Sequence, residues 1–224
     1  SSDLSNVAVG NEALQTNNVG RDNIAVGNLA LQNNTTGSFN TAVGSSSNRY
    51  NIIGDRNTGV GNQALSENIS GSSNTALGFG ALFLSQSGSS NTGIGDESLR
   101  NNTGGNNTAV GAGSLWGNQS GSNNTAIGTW AGVAQIDQVN STAIGANAIV
   151  DANNKVQIGD AQVNAVQLGT GSNVTLETGL VKLTGGTPGA GKVLTSDADG
   201  LASWQTPSTG TLNAASNGLN VNGS

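Results

Sequence analysis

The chain has 224 residues and a formal net charge of −6, with 9% charged and 3% aromatic residues against 35 Gly and 33 Asn. It has no Cys, Met or His, which excludes a disulfide framework, a thiolate nucleophile, Cys-ligated zinc and every imidazole-based catalytic or metal site. Seven Lys+Arg against thirteen Asp+Glu leave no basic stripe for nucleic acid, and no apolar run approaches the ~18 residues of a membrane span.

The N-terminal SSDLSNVAVG has neither an initiator Met nor a signal peptide, and the final LNVNGS stops inside what reads as a strand. The chain is therefore expected to be a piece of a longer protein. Its high Gly content and low charge would suit disorder, but periodicity decides against that. The pattern Asn-Thr-Ala-Val-Gly closes on Gly10, Gly27, Gly44, Gly61, Gly78, Gly95, Gly111, Gly128 and Gly145, at steps of 17 residues with a single step of 16.

Each column of the repeat has its own chemistry. The residue before the glycine is aliphatic, as at Val26, Val43, Val60, Ile94, Val110 and Ile127, and mostly β-branched, which suits a strand. The residue before that is Ala or Gly. Alternation along a strand puts the aliphatic column and the Thr column (Thr41, Thr58, Thr75, Thr92) on one face. Asn, the tiny residue and Gly share the other. A second half-repeat follows, as in Ala30-Leu31, Ala64-Leu65 and Ser98-Leu99, and then a Gly/Asn/Ser-rich connection. Each repeat thus reads strand, tight turn, short second strand, turn, and the turn residues come too often for a helix.

Two such strands bury little alone, but stacked coils hydrogen-bond to one another. The fold class expected is all-β: a parallel β-solenoid of nine 17-residue coils over residues 1–150, ~43 Å long at a strand spacing of ~4.8 Å. Asn23, Asn40, Asn57, Asn74 and Asn91 would then form an amide ladder, with the Thr column stacked beside it. The third repeat, SSSNRYNIIGDR after Gly44, lacks the Ala-Leu pair, and a local bulge or loop is expected there.

The NTAVG…AL pattern over residues 6–149 resembles the head repeats of trimeric autotransporter adhesins, and similar repeats of phage tail fibres and appendage fibres. The autotransporter repeat is typically shorter. The resemblance implies a left-handed parallel β-roll in which three identical chains pack around one axis. A narrow solenoid with small side chains has little core of its own, so burying the aliphatic column between chains would help it.

Beyond Gly145 the register breaks. Residues 151–184 alternate apolar and polar positions, at Lys155–Gly159, Ala165–Gly169 and Asn173–Leu183, and read as a β-strand stalk. Residues 185–207 form a Gly/Pro-rich β connector, and 208–224 the start of a further β segment. GTPGAGKVLTSDADGLASWQTP, residues 186–207, resembles a segment of phage tail fibres that sits upstream of a trimerisation or self-cleaving chaperone domain.

Several motifs have plain structural readings. Gly186–Lys192 followed by Val193 nearly matches a P-loop, but Val193 cannot ligate Mg²⁺ and no helix pattern follows, so a turn before a strand is expected. Asp197-Ala198-Asp199-Gly200 lacks the further ligands of a Ca²⁺ loop and reads as a hairpin turn. Asp96-Glu97 reads as a solvated edge, and Trp204 as the anchor of the small C-terminal module. No catalytic residue, metal site or cofactor is expected.

One column stays open. Five residues after the repeat glycine, Phe83, Arg100 and Trp116 would stack on three consecutive coils. An exposed aromatic–Arg–aromatic ladder suits a sugar or a protein partner, or it is a local cation–π staple or a chain–chain contact. Phe79 and Trp130 sit in turns nearby. The function expected is that of a non-enzymatic extracellular fibre, on a phage tail or phage-like appendage, presenting a host-recognition surface. Its expected partners are two copies of itself, other fibre or baseplate proteins, and a cell-surface glycan or protein receptor, with no membrane insertion. A secreted trimeric adhesin or surface filament is the alternative, and a glycan depolymerase or ice-binding solenoid a more distant one.

Overall fold

The computed structural model describes residues 4–163, 166, 188–196 and 202–207. The chain divides into two compact units, Ser1–Gln167 and Leu168–Ser224. Among the described residues there is no helix.

Each NTAVG-type motif makes one three-residue strand, stiffened by Thr and its aliphatic partner and ended by the glycine. The strands are Val7–Val9, Ile24–Val26, Thr41–Val43, Thr58–Val60, Thr75–Leu77, Thr92–Ile94, Thr108–Val110, Thr125–Ile127, Thr142–Ile144 and Val156–Ile158. They form one ten-stranded sheet, parallel and in register: Thr41 lies beside Thr58, Ala42 beside Gly59 and Val43 beside Val60. Ten rungs bound nine coils, so the chain is a parallel β-solenoid. The last rung lies within the residues read as stalk. Val156–Ile158 pairs with Thr142–Ile144 after a step of only 14 residues. Its motif is hard to see in the sequence because Gln157 stands where the tiny residue belongs.

The glycines that close the strands let the coils touch. From Gly10 to Gly145 they have φ between 111° and 139°, outside the range of other L-residues. A Cβ on Gly61 would collide with the carbonyl of Gly78 on the next coil.

The Ala-Leu half-repeat corrects an expectation. It is a corner rather than a second strand, and its leucines are left-handed, with φ of 49° at Leu31, 54° at Leu65 and Leu82, and 52° at Leu99. That conformation costs roughly 1–2 kcal/mol per residue. Full burial of these side chains offsets it, at roughly 1.5–3 kcal/mol each. A second strand pair forms only between Gly132–Val133 and Ile149–Val150. There the leucine position holds Gly132 and Ile149. A β-branched residue resists positive φ, so the chain extends, Ile149 turns outward, and Val150 is buried instead.

The third repeat shows no bulge. Ser47 and Asn48 take the places of Ala and Leu, both fully buried, with Asn48 at φ 49°. The coil-to-coil bonds continue through it: the Asn48 N–H donates to Ala64 O at 2.9 Å and the Tyr50 N–H to Ser66 O at 2.8 Å. The cost falls on the core. Neither amide atom of Asn48 has a hydrogen-bond partner, and the buried apolar cluster divides there. Ala25, Ala30, Leu31 and Ala42 lie on one side, and a cluster running from Ala64 to Val150 on the other. Gly59 replaces the usual Ala because a Cβ there would strike the Asn48 amide.

In the second unit, Val193–Ser196 pairs antiparallel with Ala202–Gln205, and Leu194 lies opposite Trp204. The P-loop-like segment ends in a turn closed by the Lys192 N–H on Gly189 O at 3.2 Å, and a strand follows. The turn at 197–200, the stalk positions 164–165 and 167–184, and residues 208–224 lie outside the described residues.

Two substitutions test this account by thermal unfolding. Gly61→Ala, strained and in collision with Gly78, is expected to cost roughly 2–4 kcal/mol. Asn48→Leu is nearly isosteric, removes an unpaired buried amide and joins the two clusters; it is expected to stabilise by roughly 1–2 kcal/mol.

Candidate functional site

The interior is built on amides. Asn23, Asn40, Asn57, Asn74 and Asn91 are fully buried and stack as expected, though the hydrogen bonds run mainly between side chain and backbone. Each Oδ1 accepts the backbone N–H of the next rung: Asn40 on Asn23 at 2.9 Å, Asn57 on Asn40 at 2.9 Å, Asn74 on Asn57 and Asn91 on Asn74 at 3.0 Å. Each Nδ2 donates across its own coil to the glycine carbonyl at the far corner, as Asn40 does to Gly54 at 2.8 Å and Asn74 to Gly88 at 2.8 Å. One side chain thus ties two coils together and closes one of them.

A second asparagine column escaped the sequence reading. Asn34 donates to Asn17 Oδ1, Asn51 to Asn34 and Asn68 to Asn51, each at 2.8 Å, and Asn118 donates to Asn102 at 2.7 Å. Here amide bonds amide directly. The signal was present as Asn-x-x-Gly recurring at the repeat length, in Asn34…Gly37, Asn51…Gly54 and Asn68…Gly71. It was hidden because such residues also read as turn formers. The column is interrupted at Ser85, where Ser85 Oγ and the Oδ1 of Asn68 below it are buried without partners.

The outer face of the sheet carries the other predicted columns. Thr41, Thr58, Thr75 and Thr92 stack in register. Val26, Val43, Val60, Ile94, Val110 and Ile127 stand beside them, pointing away from the interior. Exposure in this column is 36% at Val26, 38% at Val43 and 45% at Ile127, and Val9, Leu77, Ile144 and Ile158 extend it along the sheet. The residue between Thr and the aliphatic, Ala42 or Ala76 for example, is fully buried.

The Phe83–Arg100–Trp116 column is only partly a single ladder. The Arg100 guanidinium lies 5.2 Å from the Phe83 ring centroid, and its Nε is 3.2 Å from Glu97 Oε1. Trp116 pairs with Trp130 instead, edge to face at a centroid distance of 6.5 Å. Backbone bonds fix these positions coil over coil: the Glu97 N–H donates to Phe79 O, Gly113 to Asp96 O, and Trp130 to Ala112 O. The Trp130 indole lies in the space a Cβ on Gly113 would occupy. Phe79, Trp116 and Trp130 remain substantially exposed.

Ionisable chemistry is sparse. The hydrogen bond and charge of Lys155, 2.7 Å away, hold the Asp151 carboxyl below the usual carboxylate range. Among the described residues no three His, Cys, Asp or Glu side chains cluster as metal ligands would. No protein-family model matches the chain, and no curated protein matches its sequence.

The ladders can be probed by thermal unfolding. Asn74→Ala leaves the Asn91 N–H and the Gly88 carbonyl short of a partner and is expected to cost roughly 2–4 kcal/mol. Ser85→Asn restores the missing amide and is expected to add about 1 kcal/mol.

Proposed function

We propose that the chain is the solenoid segment of a homotrimeric extracellular fibre, of a phage tail or phage-like appendage, whose role is structural rather than catalytic. The observation that carries this reading is the exposed aliphatic column. It runs one residue per rung from Val9 to Ile158, on a face whose reverse is already packed inside the coil. Monomeric proteins rarely expose a continuous apolar stripe of this length, and an identical stripe on each of three chains gives closed rotational symmetry around a shared axis. The Thr column beside it would pack at the margins of that contact.

The mechanical role follows from the stacking. Every coil is bonded to the next through backbone and Asn side chains, so the rod resists bending and offers no long loop to proteases. Such a rod holds a recognition surface away from a particle and joins other fibre or baseplate proteins at its ends. The resemblance of residues 186–207 to a tail-fibre segment favours a phage-type particle.

Sedimentation equilibrium of the whole chain is expected to give three times the 22.1 kDa of one chain. The triple variant Val43→Asp, Ile94→Asp, Ile127→Asp changes only outward positions. It is expected to weaken association by more than tenfold while circular dichroism keeps the β signature. A wild-type chain that stays monomeric at tens of micromolar overturns the proposal.

A further inference from the structure

The column that holds Phe83, Arg100 and Trp116 changes character along the rod. On the first three coils it is polar and closed upon itself: Arg49 Nε donates to Gln32 Oε1 at 2.9 Å, and Gln32 Nε2 reaches Gln15 Oε1 at 3.3 Å. From Phe83 onward the same position is aromatic and open. Stacking therefore does not require rings here, since side-chain hydrogen bonds serve the same place elsewhere. A contact between parallel copies of the chain would run along every coil, as the aliphatic column does. These rings are confined to four successive coils, a height of ~14 Å.

We infer that Phe83, Arg100, Trp116 and Trp130, rimmed by Asp96 and Glu97, form a platform that binds a neutral glycan. The inference rests on the reading of the chain as a recognition-bearing fibre and names its ligand class. A pyranose ring has one face of C–H groups and a perimeter of hydroxyls. It needs a flat exposed ring and, at the edge, acceptors and donors already held in place. Trp130 supplies the exposed face, at 52% exposure, propped over Gly113 and braced by the edge of Trp116. Glu97 and Arg100 hold each other in position at 3.2 Å, and Asp96 is exposed beside them.

Charge narrows the class. Arg100 is already matched by Glu97, and Asp96 leaves the patch net negative on a chain of charge −6. Uronic and sialic acids are disfavoured by that field, whereas neutral sugars are not. Size argues against a protein ligand, since a stable protein interface takes roughly 800 Å² from each partner. A strip of this height suits a short oligosaccharide.

The test uses the whole chain on an array of neutral oligosaccharides (maltohexaose, cellohexaose, galactan and N-acetylglucosamine oligomers) beside oligogalacturonate and sialylated glycans. Saturable binding to at least one neutral glycan is expected, at least tenfold tighter than to any acidic one. Trp116→Ala and Trp130→Ala are each expected to weaken it at least tenfold, with melting temperature and sedimentation mass unchanged. Absence of neutral-glycan binding, preference for an acidic glycan, or binding intact in the double variant overturns the platform. So does loss of the trimer in the double variant, which would make the rings a chain–chain contact. A trimer that binds no glycan leaves the fibre reading standing. A monomer whose glycan binding depends on both tryptophans overturns the trimer and supports the platform.

Discussion

Everything in this solenoid depends on in-register stacking of one coil on the next at the parallel-strand spacing. The strands are only three residues long, so no coil is stable alone. Each backbone N–H must find a carbonyl on the coil above or below, because a buried unpaired amide costs as much as a lost hydrogen bond. That requirement fixes the repeat length, and it forces glycine wherever two coils meet backbone to backbone. The N–H of Gly44 on the Val26 carbonyl and that of Thr41 on the Asn57 carbonyl show one coil held from both sides.

The small diameter then decides what fills the inside. There is room for an Ala, a Leu and two amides per coil. Asparagine serves because one side chain both accepts and donates: Asn40 accepts from Asn57 and donates to Gly54. The interior is thus bonded rather than oily. This explains how a polar residue such as Asn48 enters the leucine column without distorting the backbone, while still leaving its own amide unpaired. The left-handed leucines belong to the same balance, in which the corner imposes the dihedral and burial offsets it.

With the interior committed to stacking, distinctive chemistry is left to the outer columns, and they divide by extent. The aliphatic column is continuous along the sheet, which suits a partner of the same length and symmetry. The aromatic column is local, occupying the coils from Phe79 to Trp130, which suits a small ligand. Separating the two keeps assembly and recognition from competing for the same residues.

The sequence by itself determined the solenoid, because a 17-residue period of small, β-branched and turn-forming residues has few other ways to satisfy its backbone. It placed the Asn, Thr and aliphatic columns on their faces, since strand alternation follows from covalent geometry. It could not show that the Ala-Leu pair is a left-handed corner, since bulky residues do not prefer that conformation and only packing imposes it. Nor did it reveal the rung at Val156–Ile158, whose short step breaks the period, or the second amide column, whose residues resemble ordinary turns. The pairing of Trp116 with Trp130 was likewise decided in three dimensions. Gly113 lies 17 residues before Trp130, and only the stacking of their coils puts the missing Cβ under the ring.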